Sequence, residues 1–197
     1  MKTMVLFFGV FFSLSLALGQ ELTRKEVIIR IAQTHPVVFT GINLKGLHLE
    51  QLYFCGGSLQ KTDFTKTDLR GADFTGAELQ GAILERAYLH GTIFNDAKMQ
   101  DIQLWRAHLE EANLERADLH DAQLWKANLS NANLQGANLK DANFINADLS
   151  NANLLGANLE NTNLQGANLE GAKYDKGILE AKRLERAFNY DASKIIK

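Results

Sequence analysis

Five histidines, His35, His48, His90, His108 and His120, are spread among 23 acidic residues, and their neighbours decide what chemistry they could do. An imidazole beside a carboxylate can move protons, and two imidazoles with a carboxylate at fixed spacing can hold zinc. Asp121 follows His120, and Glu110 lies twenty residues after His90. No stretch gives two histidines and a carboxylate the spacing of zinc ligands. No Ser-His-Asp set, glycine-rich phosphate loop or pair of catalytic carboxylates stands out either. The single cysteine, Cys55, excludes an internal disulfide framework and a cysteine-rich metal site. The sequence therefore predicts a non-enzyme without metal or cofactor. The competing reading is an unrecognised site around His90 and Glu110.

A different pattern surrounds the two tryptophans. Gln103-Leu104-Trp105-Arg106 returns as Gln123-Leu124-Trp125-Lys126, twenty residues later. An indole next to a cation suits the recognition of anionic or amphipathic partners, because Trp and Arg are enriched at interaction hot spots. Whether the echo means anything depends on the element that carries it.

That element has a period of five. From Phe39 to Tyr174 every fifth residue, 28 positions in one unbroken phase, is Leu, Phe, Met or Tyr. Two residues before each comes a smaller apolar position, Ala at 18 of the 28 sites, with Thr62, Thr67, Thr92 and Thr162 among the rest. Five residues rotate an α-helix by roughly 500°, so these leucines would form no stripe on one. On a strand, side chains alternate with period two, and every second leucine would face the wrong way. The chain must bend once per repeat, and many short units in tandem mean a solenoid whose coils bury one another's apolar faces. Asn and Asp before the Leu suit tight corners, since their side chains bond to nearby backbone. Val37, Ile42, Leu47 and Leu52 stand where Ala comes later, which predicts a wider first coil.

Tandem Ala-(Asn/Asp)-Leu-x-x, as in Ala132-Asn133-Leu134-Gln135-Gly136, resembles the pentapeptide-repeat family over about residues 37–176. The resemblance implies an all-β solenoid: a right-handed quadrilateral β-helix with four pentads per coil and about seven coils. At a strand spacing of about 4.8 Å such a rod would be roughly 34 Å long. Its ends expose apolar residues and strand edges, so short α-helical caps are expected at both. Thr23 and Glu26 stand at capping-box spacing, and Leu22 and Val27 at staple spacing. They predict a helix from about Arg24 to Gln33, within an N-terminal cap at 20–36. Ile178, Ala181, Leu184, Ala187 and Phe188 predict a second helix and tail at 177–197. Some relatives dimerise through the C-terminal end, so the resemblance also offers a homodimer there.

Twenty residues per coil would stack positions sharing a remainder. Trp105, Trp125 and Ile145 then fall in one column, and Lys66, Arg86, Arg106 and Lys126 in the next. Like charges about 4 Å apart repel by roughly 1 kcal/mol even in water, so four cations in file oppose stability. This side sums to +3, two others to −5 and −3, and the fourth is nearly balanced, although the whole chain carries only −2. In one reading the indoles stack and the cations lie over neighbouring aromatics and acids. In the other, Lys66, Arg86, Trp105, Arg106, Trp125, Lys126 and Ile145 form a partner-binding face. The partner would be an acidic protein surface, including a second copy, or another anionic envelope component such as a glycan or lipid headgroup.

Lys2, the apolar run Met4–Leu18 and Ala17-Leu18-Gly19 make residues 1–19 a signal peptide with cleavage after Gly19. The alternative is an uncleaved interfacial helix. A membrane-spanning helix needs roughly 20 apolar residues, and no stable span is expected after cleavage. The chain is thus expected to be exported, periplasmic or secreted, or lumenal in a phototroph. Single-stranded nucleic acid would suit aromatics with cations, but export argues against it. The function expected is a non-enzymatic interaction scaffold that binds a macromolecule along one face. The alternative from the family is a DNA-mimicking modulator of a type II topoisomerase such as gyrase. Relatives of that kind are cytoplasmic and strongly acidic, whereas this chain has a signal segment and a basic face.

Overall fold

The computed structural model describes residues 22–175. The signal segment expected at 1–19 and the helix expected at 177–197 lie outside the described residues.

Helix α1, Arg24–Gln33, begins at a Thr23 N-cap. The Thr23 side chain accepts from the Glu26 backbone N–H at 3.4 Å, and the Glu26 carboxylate accepts from the Thr23 N–H at 2.7 Å. Both halves of the capping box are therefore present, which satisfies donors that a helix start leaves free. Leu22 and Val27 are buried against the first coil.

From residue 38 onward the chain winds. Every β-bridge is parallel and joins residue n to residue n+20, beginning with Val38 to Ser58 and ending with Asn153 to Lys173. Bridges are single residues rather than long strands because a corner interrupts each side after five. From Gly57 to Ala172, each inward residue donates its N–H to the carbonyl of the central residue three earlier, at 2.9–3.3 Å. The residue just before that donor has φ between +54° and +72° at every corner from Gly41 to Gly171. That is the signature of a type II turn.

The corner's left-handed residue therefore lies two after the central Leu or Phe. The Asn or Asp before the Leu makes the expected local bond, its Oδ1 accepting the N–H two residues on, as Asn43 does from Lys45 at 3.0 Å and Asp63 from Thr65 at 2.8 Å. It is not, however, the residue with turn dihedrals. Sixteen corner residues are not glycine, and half of these are neither Asn nor Asp.

All 28 central side chains are buried. Phe54, Phe74 and Phe94 stack one per coil, with centroids 4.7 and 5.1 Å apart. The inward threonines satisfy their hydroxyls on the coil below: Thr62, Thr67, Thr92 and Thr162 each donate to the carbonyl 23 residues earlier, at 2.7–2.9 Å. In the first coil Val37 is buried, while Ile42, Leu47 and Leu52 are half-buried beside the core. Gly57 stacks against Val37: a methyl group there would meet Val37 Cγ1 at 2.8 Å.

Candidate functional site

The inter-coil ladder fixes the basic side. Lys66, Arg86, Arg106 and Lys126 donate their backbone N–H groups to Glu85, Trp105, Trp125 and Ile145 of the next coil, at 2.9–3.0 Å. All seven expected face residues are thus brought to one side of the rod. Each cation sits at a left-handed corner, with φ of 57°, 54°, 55° and 57° along the column. All four side chains are exposed, and so is Trp105, while Trp125 and Ile145 are half-buried.

The indoles do not pair as a stack: among the described residues no ring contact joins Trp105 to Trp125. Cations occupy the Trp125 ring instead. Arg106 Cζ lies 5.3 Å and Lys126 Nζ 4.7 Å from its centroid. A cation on the ring's negative face gains about as much as an offset second indole, and keeps that gain when no carboxylate competes for it.

None does compete. Among the described residues Lys66, Arg106 and Lys126 make no ion pair, and Arg86 reaches only Glu85, at 3.7 Å. Elsewhere Arg24 pairs with Glu50, Arg70 with Asp68, Lys98 with Glu78, Arg116 with Asp96 and Lys140 with Glu160, whereas Lys45, Lys61 and Lys173, like most of the column, make no ion pair among the described residues.

Beside the column runs an open groove of about 440 Å³, lined by Lys66, Arg86, Tyr88, Arg106, His108 and Lys126. Tyr88 and His108 form its second wall, their rings stacked at 5.3 Å and 9°. Thr67, Ala87 and Ala107, between the two walls in sequence, point into the core. The sequence reading did not place Tyr88 and His108 here. Their signal was present, since 88 and 108 are one coil apart and follow the cation column by two residues.

The histidine dyads are exposed surface pairs. His90 lies 3.8 Å from Glu111, His108 3.5 Å from Glu110 and His120 3.2 Å from Asp121. Glu110 also accepts from Asn128 at 2.7 Å. One set unnoticed in the sequence could ligate a metal: atoms of His48, Glu50 and Asp68 lie within 4.8 Å of one another. Its carboxylates are already engaged, Glu50 by Arg24 at 2.7 Å and Asp68 by Arg70 at 2.6 and 2.8 Å. The Arg70 hydrogen bonds hold the Asp68 carboxyl below the usual range despite its burial. Arg24 also donates to the His48 carbonyl, so this cluster ties α1 to the first coils. Cys55 is half-buried beside the Asp73 carbonyl, and burial pushes its thiol up, away from the reactive thiolate. Among the described residues no helix is long and apolar enough to cross a membrane.

Comparison with known proteins bears on the repeat. No curated protein matches the chain. Among solved structures, HetL, a pentapeptide repeat protein involved in regulating heterocyst differentiation in the cyanobacterium Nostoc sp. strain PCC 7120, is 27% identical. The match covers 77% of this chain and 92% of HetL, with a TM-score of 0.35. QnrB1, a plasmid-mediated fluoroquinolone resistance protein, is 19% identical over 80% of this chain and 81% of its own, with a TM-score of 0.37. A pentapeptide repeat protein from the Arabidopsis thaliana thylakoid lumen is 28% identical over 62% of this chain and 65% of its own, with a TM-score of 0.28. The family model for pentapeptide repeats matches residues 37–71, 67–105, 97–136 and 137–173. Such proteins wind as right-handed β-helices, the hand that the family resemblance implies. With its five-residue phase unbroken across that whole matched span, the chain belongs to the pentapeptide repeat family.

Proposed function

We propose that this chain is an exported, non-enzymatic scaffold that binds a macromolecular partner along the basic side of its β-helix. In this reading residues 1–19 are removed, residues 37–176 wind into seven coils, and helices at 20–36 and 177–197 cover the two ends. The bound side is that of Lys66, Arg86, Trp105, Arg106, Trp125, Lys126 and Ile145.

The observation that carries the reading is the cation column. Four successive coils hold a long cation at a corner where Gly or Asn would be less strained. Among the described residues three of the four have no carboxylate partner, and like charges in file repel. A feature that opposes stability in several ways at once is explained by what it binds. A rod with an open groove also offers little enclosure for catalysis. The alternative, a duplex-mimicking topoisomerase modulator, asks for an acidic rod, and an unneutralised basic column departs from that.

A photo-reactive residue at Gln123 of the exported chain tests the reading. It should crosslink one envelope component, protein or glycan, and the yield should fall about tenfold in R86Q/R106Q. Equal capture from Gln135 on the side away from the groove, or no change in R86Q/R106Q, would overturn it. Sequencing the mature chain checks export, with Gln20 expected as its first residue.

A further inference from the structure

We infer that the groove between the cation column and the Tyr88–His108 wall is a binding site for a linear acidic polysaccharide, one bearing a uronate or sulfate on its sugar rings. This rests on the reading that the basic side is the bound one, and names the chemistry of what it binds.

The groove has two unlike walls. One is a file of cations, Lys66, Arg86, Arg106 and Lys126, repeating once per coil, about 4.8 Å for neighbouring β-strands. The other is aromatic. Tyr88 is 49% exposed, and its ring stacks on His108, so the two rings cover each other's faces and line the groove with their edges, one in each of two coils. The C–H groups of a sugar ring can pack against these apolar edges while its acidic substituents turn to the column. One polymer can therefore meet both walls at once, anions on the cations and C–H groups on the aromatic edges. Trp105, 39% exposed on the basic side, extends the aromatic surface beyond the cations.

Other anionic partners fit the geometry less well. An extended acidic peptide shows same-face carboxylates every second residue, about 6.6 Å apart, and leaves register with a column of about 4.8 Å within two coils. It could not dock as an added strand either, because the ladder along this side runs from coil to coil and leaves no continuous strand edge facing the groove. A bilayer surface engages cations that project from a flat face, whereas here Tyr88 and His108 stand beside them as the second wall of an open groove. Arg106 is also held in place, its guanidinium over Trp125, so less side-chain entropy is lost on binding.

The test uses the mature chain with five probes: oligogalacturonate, neutral dextran, polyglutamate, a single-stranded oligonucleotide and anionic phospholipid vesicles. Oligogalacturonate should bind at low salt and dextran should not. R86Q/R106Q should weaken binding at least tenfold and lower the salt slope by about 2. Tyr88→Ala should weaken oligogalacturonate severalfold while leaving polyglutamate unchanged. Lys140→Gln, remote from the groove and paired with Glu160, should change nothing. Circular dichroism of each variant checks that the coil is intact. Polyglutamate, oligonucleotide or vesicles binding as tightly as oligogalacturonate would sink the glycan assignment while leaving the basic side as a binding surface. Oligogalacturonate binding that ignores R86Q/R106Q would remove the groove itself. Failure of the Gln123 crosslink to depend on those arginines would remove the wider reading.

Discussion

The Arg106 guanidinium lies over the Trp125 ring, its carbon 5.3 Å from the ring centroid, one coil away along the rod. At the equivalent corner of another side, Arg116 instead grips Asp96 through two hydrogen bonds of 2.8 and 2.9 Å. The two arginines share a backbone conformation and differ in what surrounds them, Arg116 having carboxylates in Asp96 and its own neighbour Glu115 where Arg106 has indoles. A double-mutant cycle of Arg106→Gln and Trp125→Ala, read by urea unfolding, should give a coupling of about 0.5–1 kcal/mol. A coupling of zero would mean that the ring does not hold the cation.

Gly57 occupies an inward site where most coils carry Ala, because Val37 fills the space below it. A Cβ at Gly57 would meet Val37 Cγ1 at 2.8 Å and the Phe54 carbonyl at 2.9 Å. Gly57→Ala should therefore lower stability by about 1–3 kcal/mol through overpacking. Val37→Ala in the same chain should return part of that loss, although alone it leaves a cavity and destabilises. If the double variant is no better than the sum of the singles, the two residues are not in steric competition.

Asp68 is buried and held below the usual carboxyl range, first by its side-chain hydrogen bonds from Arg70. Its unfolded counterpart titrates near ~3.9. A folded value depressed below that contributes stability that is complete above the unfolded value and is lost as pH falls through the folded one. Arg70→Gln should thus be less stable than the parent at neutral pH, and the difference should shrink below about pH 4. Acid titration of both chains by circular dichroism measures it. A difference that persists unchanged at low pH would assign Arg70's effect to packing.

The fold was largely legible because it is carried by one property, a buried side chain every fifth residue, that nothing local can mimic. Phe54, Phe74 and Phe94 stacking in file is the physical form of that spacing. The corner residue was harder to read, since Lys66, Arg86, Arg106 and Glu111 have no preference for positive φ; the coil imposes it on them. The cation column followed from the twenty-residue offset alone. Its setting did not. Whether Trp125 meets Trp105 or Arg106 depends on side-chain rotamers, and the groove depends on how far Tyr88 and His108 stand out. Those are properties of packed coils rather than of spacing.

The column itself can be weighed against stability. Gly or Asn takes a left-handed corner with less strain than Lys or Arg, and Asn131, Asn146 and Asn151 do so in this rod. Lys66→Asn and Arg86→Asn relieve that strain and remove a neighbour's repulsion, and neither cation lies over an aromatic ring among the described residues. Each should raise stability by about 1 kcal/mol, and together they should raise the thermal midpoint by several degrees. The gain should shrink in high salt, where the repulsion is already screened. If instead both substitutions destabilise the rod, the cations serve the coil, and the argument that they are kept for a partner fails. If they stabilise it while abolishing oligogalacturonate binding, the column is retained at the expense of the fold, and the ligand is the reason for it.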